Sequence, residues 1–178
     1  QLDRRWSITG SLRLATDRTF LRRYDISRDD RLRSTIDLQR LTRTSFFSLS
    51  GWGLQTLRSG DPQGQIPIAV PLVDYRKRFN DPVVGGNVEL QLNSLALART
   101  SGQDTQRSFA SARWDLRRLT NLGQELQLTG FARADVYHTD EAGRTLTALY
   151  RGSNGWHSRF IGAVAAEFRW PFFGPAFG

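Results

Sequence analysis

The side chains of this 178-residue chain that could carry chemistry are few, and their spacing excludes most of it. His138 and His157 are the two histidines, and there is no cysteine. The chain therefore has neither a His-x-x-x-His pair nor a thiolate to ligate a metal or attack a substrate. Ser, His and Asp are present, but Gly-x-Ser-x-Gly, the turn that exposes a serine nucleophile, does not occur. Gly51-Trp52-Gly53 and Gly85-Gly86 do not open a helix after a strand, so they are not nucleotide-phosphate loops; Gly85-Gly86 reads as a bulge or bend. The acidic pairs Asp29-Asp30 and Asp140-Glu141 sit among turn formers, where water solvates them. No catalytic residue, bound metal or cofactor is expected.

What remains is a set of charged and amide side chains at every second position. Glu89, Gln91 and Asn93 form one such row; Arg113, Asp115 and Arg117 a second; Arg133 and Asp135 a third; Glu167 and Arg169 a fourth. Guanidinium forks bind carboxylate and phosphate, and amides both donate and accept. Such rows suit the wall of a water-filled lumen. They equally suit a solvated face with no ligand.

The rows imply strands, because a β-strand turns a period of two into one face. Trp6, Ile8, Gly10, Leu12 and Leu14 alternate with Arg5, Ser7, Thr9, Ser11 and Arg13. Leu32, Ile36 and Leu38 alternate with Arg31, Arg33, Thr35, Asp37 and Gln39, and Val88, Leu90 and Leu92 with the Glu89 row. Ala110, Ala112, Trp114 and Leu116 oppose the Arg113 row; Leu126, Leu128, Gly130, Ala132, Ala134 and Val136 oppose Glu125, Gln127, Thr129, Arg133 and Asp135. Phe160, Gly162, Val164, Ala166, Phe168 and Trp170 oppose Glu167 and Arg169. Residues 45–57 are aromatic without a clear parity. Residues 66–79 read as extended, but Pro67 and Pro71 remove two ladder donors and make the first half an edge, a bulge or the start of a strand. Turn signals fall at residues 29–30, 59–62, 80–82, 101–104, 121–123 and 140–143. The expected fold is all-β, with about eight long antiparallel strands running up and down, and no long helix.

Alternation does not say which face is wet. A soluble sandwich turns its apolar face inward, and a membrane barrel turns it outward to lipid. Three features favour an outer-membrane barrel. Full charges occupy consecutive polar-face positions in mid-strand. The apolar face is rich in Ala and Gly, which fill a close-packed core poorly but sit easily against lipid tails. Aromatics cluster near strand ends, at Trp6, Phe20, Tyr24, Phe79, Tyr137, Tyr150, Trp156, Trp170 and Phe172, as in interfacial girdles. The 25 Lys plus Arg against 17 Asp plus Glu give a net charge of +8, which suits nucleic acid, an anionic membrane surface or an acidic lipid. All but Lys77 are Arg, a bias that GC-rich codon usage explains as readily as anion binding. Arg76-Lys77-Arg78 beside Phe79 reads as a basic-aromatic nucleic-acid patch or as charge near lipid headgroups.

Local segments resemble a known family. Arg5-Trp6 and the stretch Thr16 to Tyr24, then Gly51-Trp52-Gly53-Leu54-Gln55-Thr56-Leu57, Ile66-Pro67-Ile68, and Pro71-Leu72-Val73-Asp74-Tyr75 are similar, in order and spacing, to segments of the LptD (organic solvent tolerance) family. Asp81-Pro82-Val83-Val84-Gly85-Gly86, the polar strand with Asn93, Arg99 and Thr100, the loop-strand with Gly102, Asp104, Thr105 and Arg107, and Arg169-Trp170-Pro171 continue the likeness. The family's periplasmic domain and its disulfide cysteines have no counterpart. Family barrels have on the order of 26 strands, so the resemblance implies that residues 1–178 are a segment of one transmembrane β-barrel with neither barrel end complete. The absence of Met and the Gln at position 1 also suggest an excised or processed piece.

The resemblance further implies assembly of lipopolysaccharide at the bacterial outer membrane, without catalysis. Sugars would pass through a hydrophilic lumen and acyl chains would leave by a lateral gate. A plug lipoprotein would sit inside the barrel, and periplasmic bridge proteins would supply the glycolipid; nucleic acid is not a partner on this reading. Glu89, Gln91, Asn93, Arg113, Asp115, Arg117, Arg133, Asp135, Glu167 and Arg169 would line the lumen. Two alternatives stay open: a soluble all-β module for an acidic polymer, and an unrelated outer-membrane uptake barrel.

Overall fold

The computed structural model describes residues 4–82, 84–145 and 147–171, with the side chain of Tyr150 set aside. It contains one antiparallel sheet of eight strands in chain order. They are β1 (Trp6–Ser11), β2 (Arg31–Leu41), β3 (Ser45–Thr56), β4 (Ile68–Asn80), β5 (Asn87–Ala98), β6 (Asp104–Leu119), β7 (Glu125–Asp140) and β8 (Gly155–Arg169). Every strand pairs with its sequence neighbour, and β1 and β8 are the edges. The one α-helix, α1 (Phe20–Arg23), is a single turn within the loop before β2.

The two ends of the sheet differ. At one end the chain turns tightly, over residues 42–44, 81–86 and 120–124. At the other, residues 12–30, 57–67 and 141–154 make long connections that hold α1 and three 3-10 turns, and only residues 99–103 are short. The first strand stops at Ser11, so Leu12 and Leu14 belong to the long loop rather than to the expected strand. Asp104, Thr105 and Arg107 of the expected loop-strand already lie in β6.

The short turns are staggered. Ser45 opens β3 opposite Lys77, three residues before the end of β4; Asn87 opens β5 opposite Asp115, four before the end of β6. At ~3.4 Å per residue and ~4.8 Å between strands, level turns require a strand tilt of about 50°, close to the roughly 35–45° of membrane barrels.

Registry also resolves the two unclear segments. On β4 three steps from Ala69 to Leu72 match two on each neighbour, so an extra residue bulges at Val70-Pro71. The missing Pro71 N–H is absorbed there, and the parity of β4 changes across the bulge. In β3, Phe46 and Phe47 face opposite sides, and Trp52 and Leu54 share a face with Arg33 and Thr35. Apolar residues on both faces hide the period. Gly85 and Gly86 form the expected bend rather than a bulge; both have positive φ within the turn between β4 and β5.

The sheet is a single layer. Among the described residues the buried apolar side chains are Leu32, Ile66, Ala69 and Ala142, all at the long-loop end, where residues 57–67 and 141–154 fold back. In mid-sheet the apolar face is open, with Ile36 62% exposed and Leu92 52%, and on the edge strand β8 it is barer still, with Val164 89% exposed. Its small residues leave a shallow groove of about 610 Å³ along Val88, Ala112, Trp114, Gly130, Ala132 and Val164.

Tight turns make Gly86 a test of this framework. A Cβ there would lie 2.4 Å from the Asp115 carbonyl oxygen at φ +81°, whereas one at Gly123, at φ +78°, would meet open space. Left-handed backbone alone costs an Ala roughly 1–2 kcal/mol. Gly123→Ala is expected to show that loss by urea unfolding, and Gly86→Ala at least ~1 kcal/mol more, because the β5–β6 backbone must also yield.

Candidate functional site

Residues paired across strands share a face, so the register assembles one polar surface. It runs from Thr9 through Asp37 and Ser50, then Asp74, Asn93 and Phe109, to Asp135 and Arg159. Glu89 opposes Arg113, Gln91 opposes Ser111, and Asn87 opposes Asp115, which in turn opposes Thr129. All ten candidate residues from the sequence fall on this face.

The structure joins most of them through ion pairs. Arg113 Nε donates to Asp115 Oδ2 at 2.7 Å, and Thr129 Oγ1 to Asp115 Oδ1 at 2.8 Å. Arg117 pairs with Glu125, and Arg169 with Glu167. Glu89 accepts from Arg78 at 2.9 Å. Gln91 donates to Asp74 at 3.1 Å, and Arg76 binds the same carboxylate at 2.8 Å. Several of these pairs are two apart on one strand, the spacing at which side chains project from the same face and a long guanidinium arm can reach back.

Asp135 is the densest node. It is 1% exposed and accepts from three arginines. Arg133 binds it in a fork at 2.8 and 3.0 Å; Arg107 and Arg159 each reach it at 3.3 Å. Arg133 also lies 3.7 Å from the Phe109 ring centroid, and Arg107 covers Tyr137 at 5.4 Å. One carboxylate against three guanidiniums leaves positive charge facing away from the sheet. This is a surface for hydrated anions and hydroxyls.

Reading the sequence missed Asp74, Arg76, Arg78, Arg107 and Arg159. The bulge hides the parity of β4, residue 107 reads as part of a loop, and the polar partners of Phe160 and Gly162 are Arg159, Ile161 and Ala163, too mixed to show a row. The aromatic expectation divides likewise. Trp6, Phe79, Tyr137 and Trp156 stand near strand ends and Trp170 directly follows β8, while Phe20 and Tyr24 belong to α1 and its cap in the long loop. Tyr150 and Phe172 lie outside the described side chains.

Among the described residues the other titratable groups do not assemble a catalytic set. Ser153 Oγ and His157 Nε2 are 2.9 Å apart, with no carboxylate on His157 among the described residues. His138 stacks on Trp156 at 4.4 Å and has Asp140 3.3 Å from Nδ1. Among the described residues no three His, Asp or Glu side chains converge to hold a metal.

Removing the carboxylate of Asp135 leaves three arginines turned on one another. Asp135→Asn is expected to unfold at a lower temperature than Asp140→Asn in a heat-dependent gel-mobility assay, because the Asp140 carboxylate is exposed and His138 is its one ion-pair partner among the described residues.

Charge pairs also tie the long loops to the sheet. The hydrogen bond from Arg31, at 2.9 Å, holds the Asp61 carboxyl below its usual range, helped by the charge of Arg58. Arg58 does the same for Asp30, at 3.1 Å, with the charge of Arg22 adding to it. A carboxyl whose pKa is lowered by folding stabilises the fold above its ordinary pKa, and that contribution fades as pH falls towards the lowered value. A spin label on Gly60→Cys is therefore expected to gain mobility below about pH 4, and to be mobile already at neutral pH when Arg31→Gln is added.

The order and spacing of the segments, the single sheet of up-and-down strands, and the opposed polar and apolar faces can be set beside known proteins. No curated protein matches the chain significantly. A family model does, over residues 1–177: LptD, LPS transport system D. With essentially the whole chain matched, it belongs to the LptD family of outer-membrane proteins that transport lipopolysaccharide.

Proposed function

We propose that this sheet is a wall segment of a single transmembrane barrel, its polar face lining a hydrophilic lumen and its apolar face meeting hydrocarbon. The observation that carries this reading is the pairing of opposites in one layer: ion-paired side chains on one face, bare Val, Phe and Trp on the other. A soluble sandwich would cover that second face with another sheet. The stagger of the turns suits a tilted barrel wall, and the strands, at 11 to 16 residues for β2 to β8, are long enough to cross a membrane with tilt.

On this reading lipopolysaccharide sugars move along the lumen past Glu89, Gln91, Asn93, Arg113, Asp115, Arg117, Arg133, Asp135, Glu167 and Arg169. Amides exchange hydrogen bonds with sugar hydroxyls, and the arginines answer phosphate and carboxylate groups. The acyl chains, which such a lumen cannot solvate, leave sideways through a weakly paired seam elsewhere in the barrel. A plug lipoprotein occupies the interior, and periplasmic bridge proteins deliver the glycolipid. Membrane barrels keep their short turns in the periplasm, so residues 42–44, 81–86 and 120–124 face inward to the cell and the long loops face out.

Adjacent positions test the orientation. In the intact protein a cysteine at Arg113 is expected to react with a water-soluble maleimide and one at Ala112 to resist it; the reverse pattern overturns the barrel reading. Photo-crosslinkers at Gln91, Arg113 and Arg133 are expected to capture lipopolysaccharide in growing cells. If none of the three does, passage across this face is wrong.

A further inference from the structure

Three cations stand on the apolar face. Arg40, Lys77 and Arg118 share register positions with Phe47, Leu90 and Leu126. None has a carboxylate partner among the described residues. On the opposite face Arg76, Arg78, Arg113, Arg117, Arg133 and Arg159 all do.

Their placement is regular. Each belongs to a different hairpin, and each lies within three residues of its short turn: Arg40 one residue before the end of β2, Lys77 three before the end of β4, Arg118 one before the end of β6. Because those turns are staggered to suit tilted strands, the three cations fall within about 5 Å of one level of the sheet, about 12 Å from Arg40 to Lys77 and about 22 Å from Lys77 to Arg118. Aromatic rings share the level. The Arg40 guanidinium lies 5.5 Å from the Trp6 ring centroid, and Lys77 Nζ 5.4 Å from that of Phe79. Trp114 donates its indole N–H to the Gly85 carbonyl at 2.8 Å, beside the Arg118 guanidinium. At the long-loop end the same face carries Gln106, His138 and Trp156, then Asp104 and Asp140, and no Lys or Arg within the strands.

An unpaired cation rooted in an apolar face is costly unless its arm reaches a polar boundary, which Lys and Arg do by extending along their apolar stems. Trp prefers the same boundary. We propose that Arg40, Lys77 and Arg118, with Trp6, Phe79 and Trp114, form a belt that grips the phosphodiester headgroups of a phospholipid leaflet around the short-turn end. This rests on the reading that the apolar face meets hydrocarbon. Single positive charges spaced two strands apart match lipids with one phosphate each. A glycolipid with several clustered phosphates would need its cations grouped.

The test compares the intact protein with the triple variant Arg40→Gln, Lys77→Gln, Arg118→Gln, reconstituted in phosphatidylglycerol nanodiscs, extracted in mild detergent and weighed by native mass spectrometry. The wild type is expected to retain phosphatidylglycerol and the triple variant about tenfold less or lower, while Arg113→Gln, on the other face, retains it. Where the triple variant does not fold, the three single variants are read instead, and Lys77→Arg is expected to restore what Lys77→Gln loses. Equal retention in wild type and variants, or equal loss in Arg113→Gln, overturns the belt while leaving the barrel reading intact. Retention of added lipopolysaccharide in place of phosphatidylglycerol at these residues overturns it too. Failure of the wild type to enter the bilayer at all overturns both.

Discussion

A sheet one layer thick cannot bury its apolar face against itself. In a soluble domain such a face drives packing onto a second layer, because each exposed Val, Leu or Phe forgoes about 1.5–3 kcal/mol of burial. Here Ile36, Leu49, Leu90, Leu92, Phe160 and Val164 stay open and the few buried apolar residues sit under the long loops. The rest of the structure follows from what must cover that face. On the proposed reading the cover is hydrocarbon, which adapts to any outline, so Ala112, Gly130, Ala132 and Gly162 leave a shallow groove without the loss that a void would bring in a packed core. In mid-sheet one polar pair on this face is reconciled locally: Ser94 and Ser108 bind each other at 2.9 Å.

The polar face obeys a different rule. Its ion pairs are partly solvated, and pairs of that kind contribute little to stability individually, on the order of 0–1 kcal/mol. Their effect is to fix where charge lies. Arg113, Asp115 and Thr129, or Asp74 with Arg76 and Gln91, hold long side chains flat along the wall in place of a mobile fringe. Asp135 concentrates three guanidiniums at one height between β6, β7 and β8. A wall of this kind presents fixed, hydrated charge, which on the proposed reading meets lipopolysaccharide, a molecule both phosphorylated and rich in hydroxyls.

Some features of the chain can be read one residue at a time, and others cannot. Period 2 is local, so the faces of β1, β2, β5, β6, β7 and β8 were legible from alternation in strands such as Val88 to Asn93 and Ala110 to Arg117, and with them all ten polar candidates. Turn chemistry was legible too, since Asn121-Leu122-Gly123 and Asp81-Pro82 mark reversals by their own dihedral preferences. The face of β4 was not, because a bulge at Val70-Pro71 moves the parity by one and only the pairing partners on β3 and β5 reveal it. Nor was the meeting of Arg107, Arg133 and Arg159 at Asp135, which joins side chains 24 to 28 positions apart as well as neighbours. Alternation therefore specified two faces and their chemistry, since it depends on backbone geometry within a strand. Registry between strands decided the ion-pair partners, the stagger of the turns and the level at which Arg40, Lys77 and Arg118 lie, because hydrogen bonding across the sheet alone sets the height of one strand against the next.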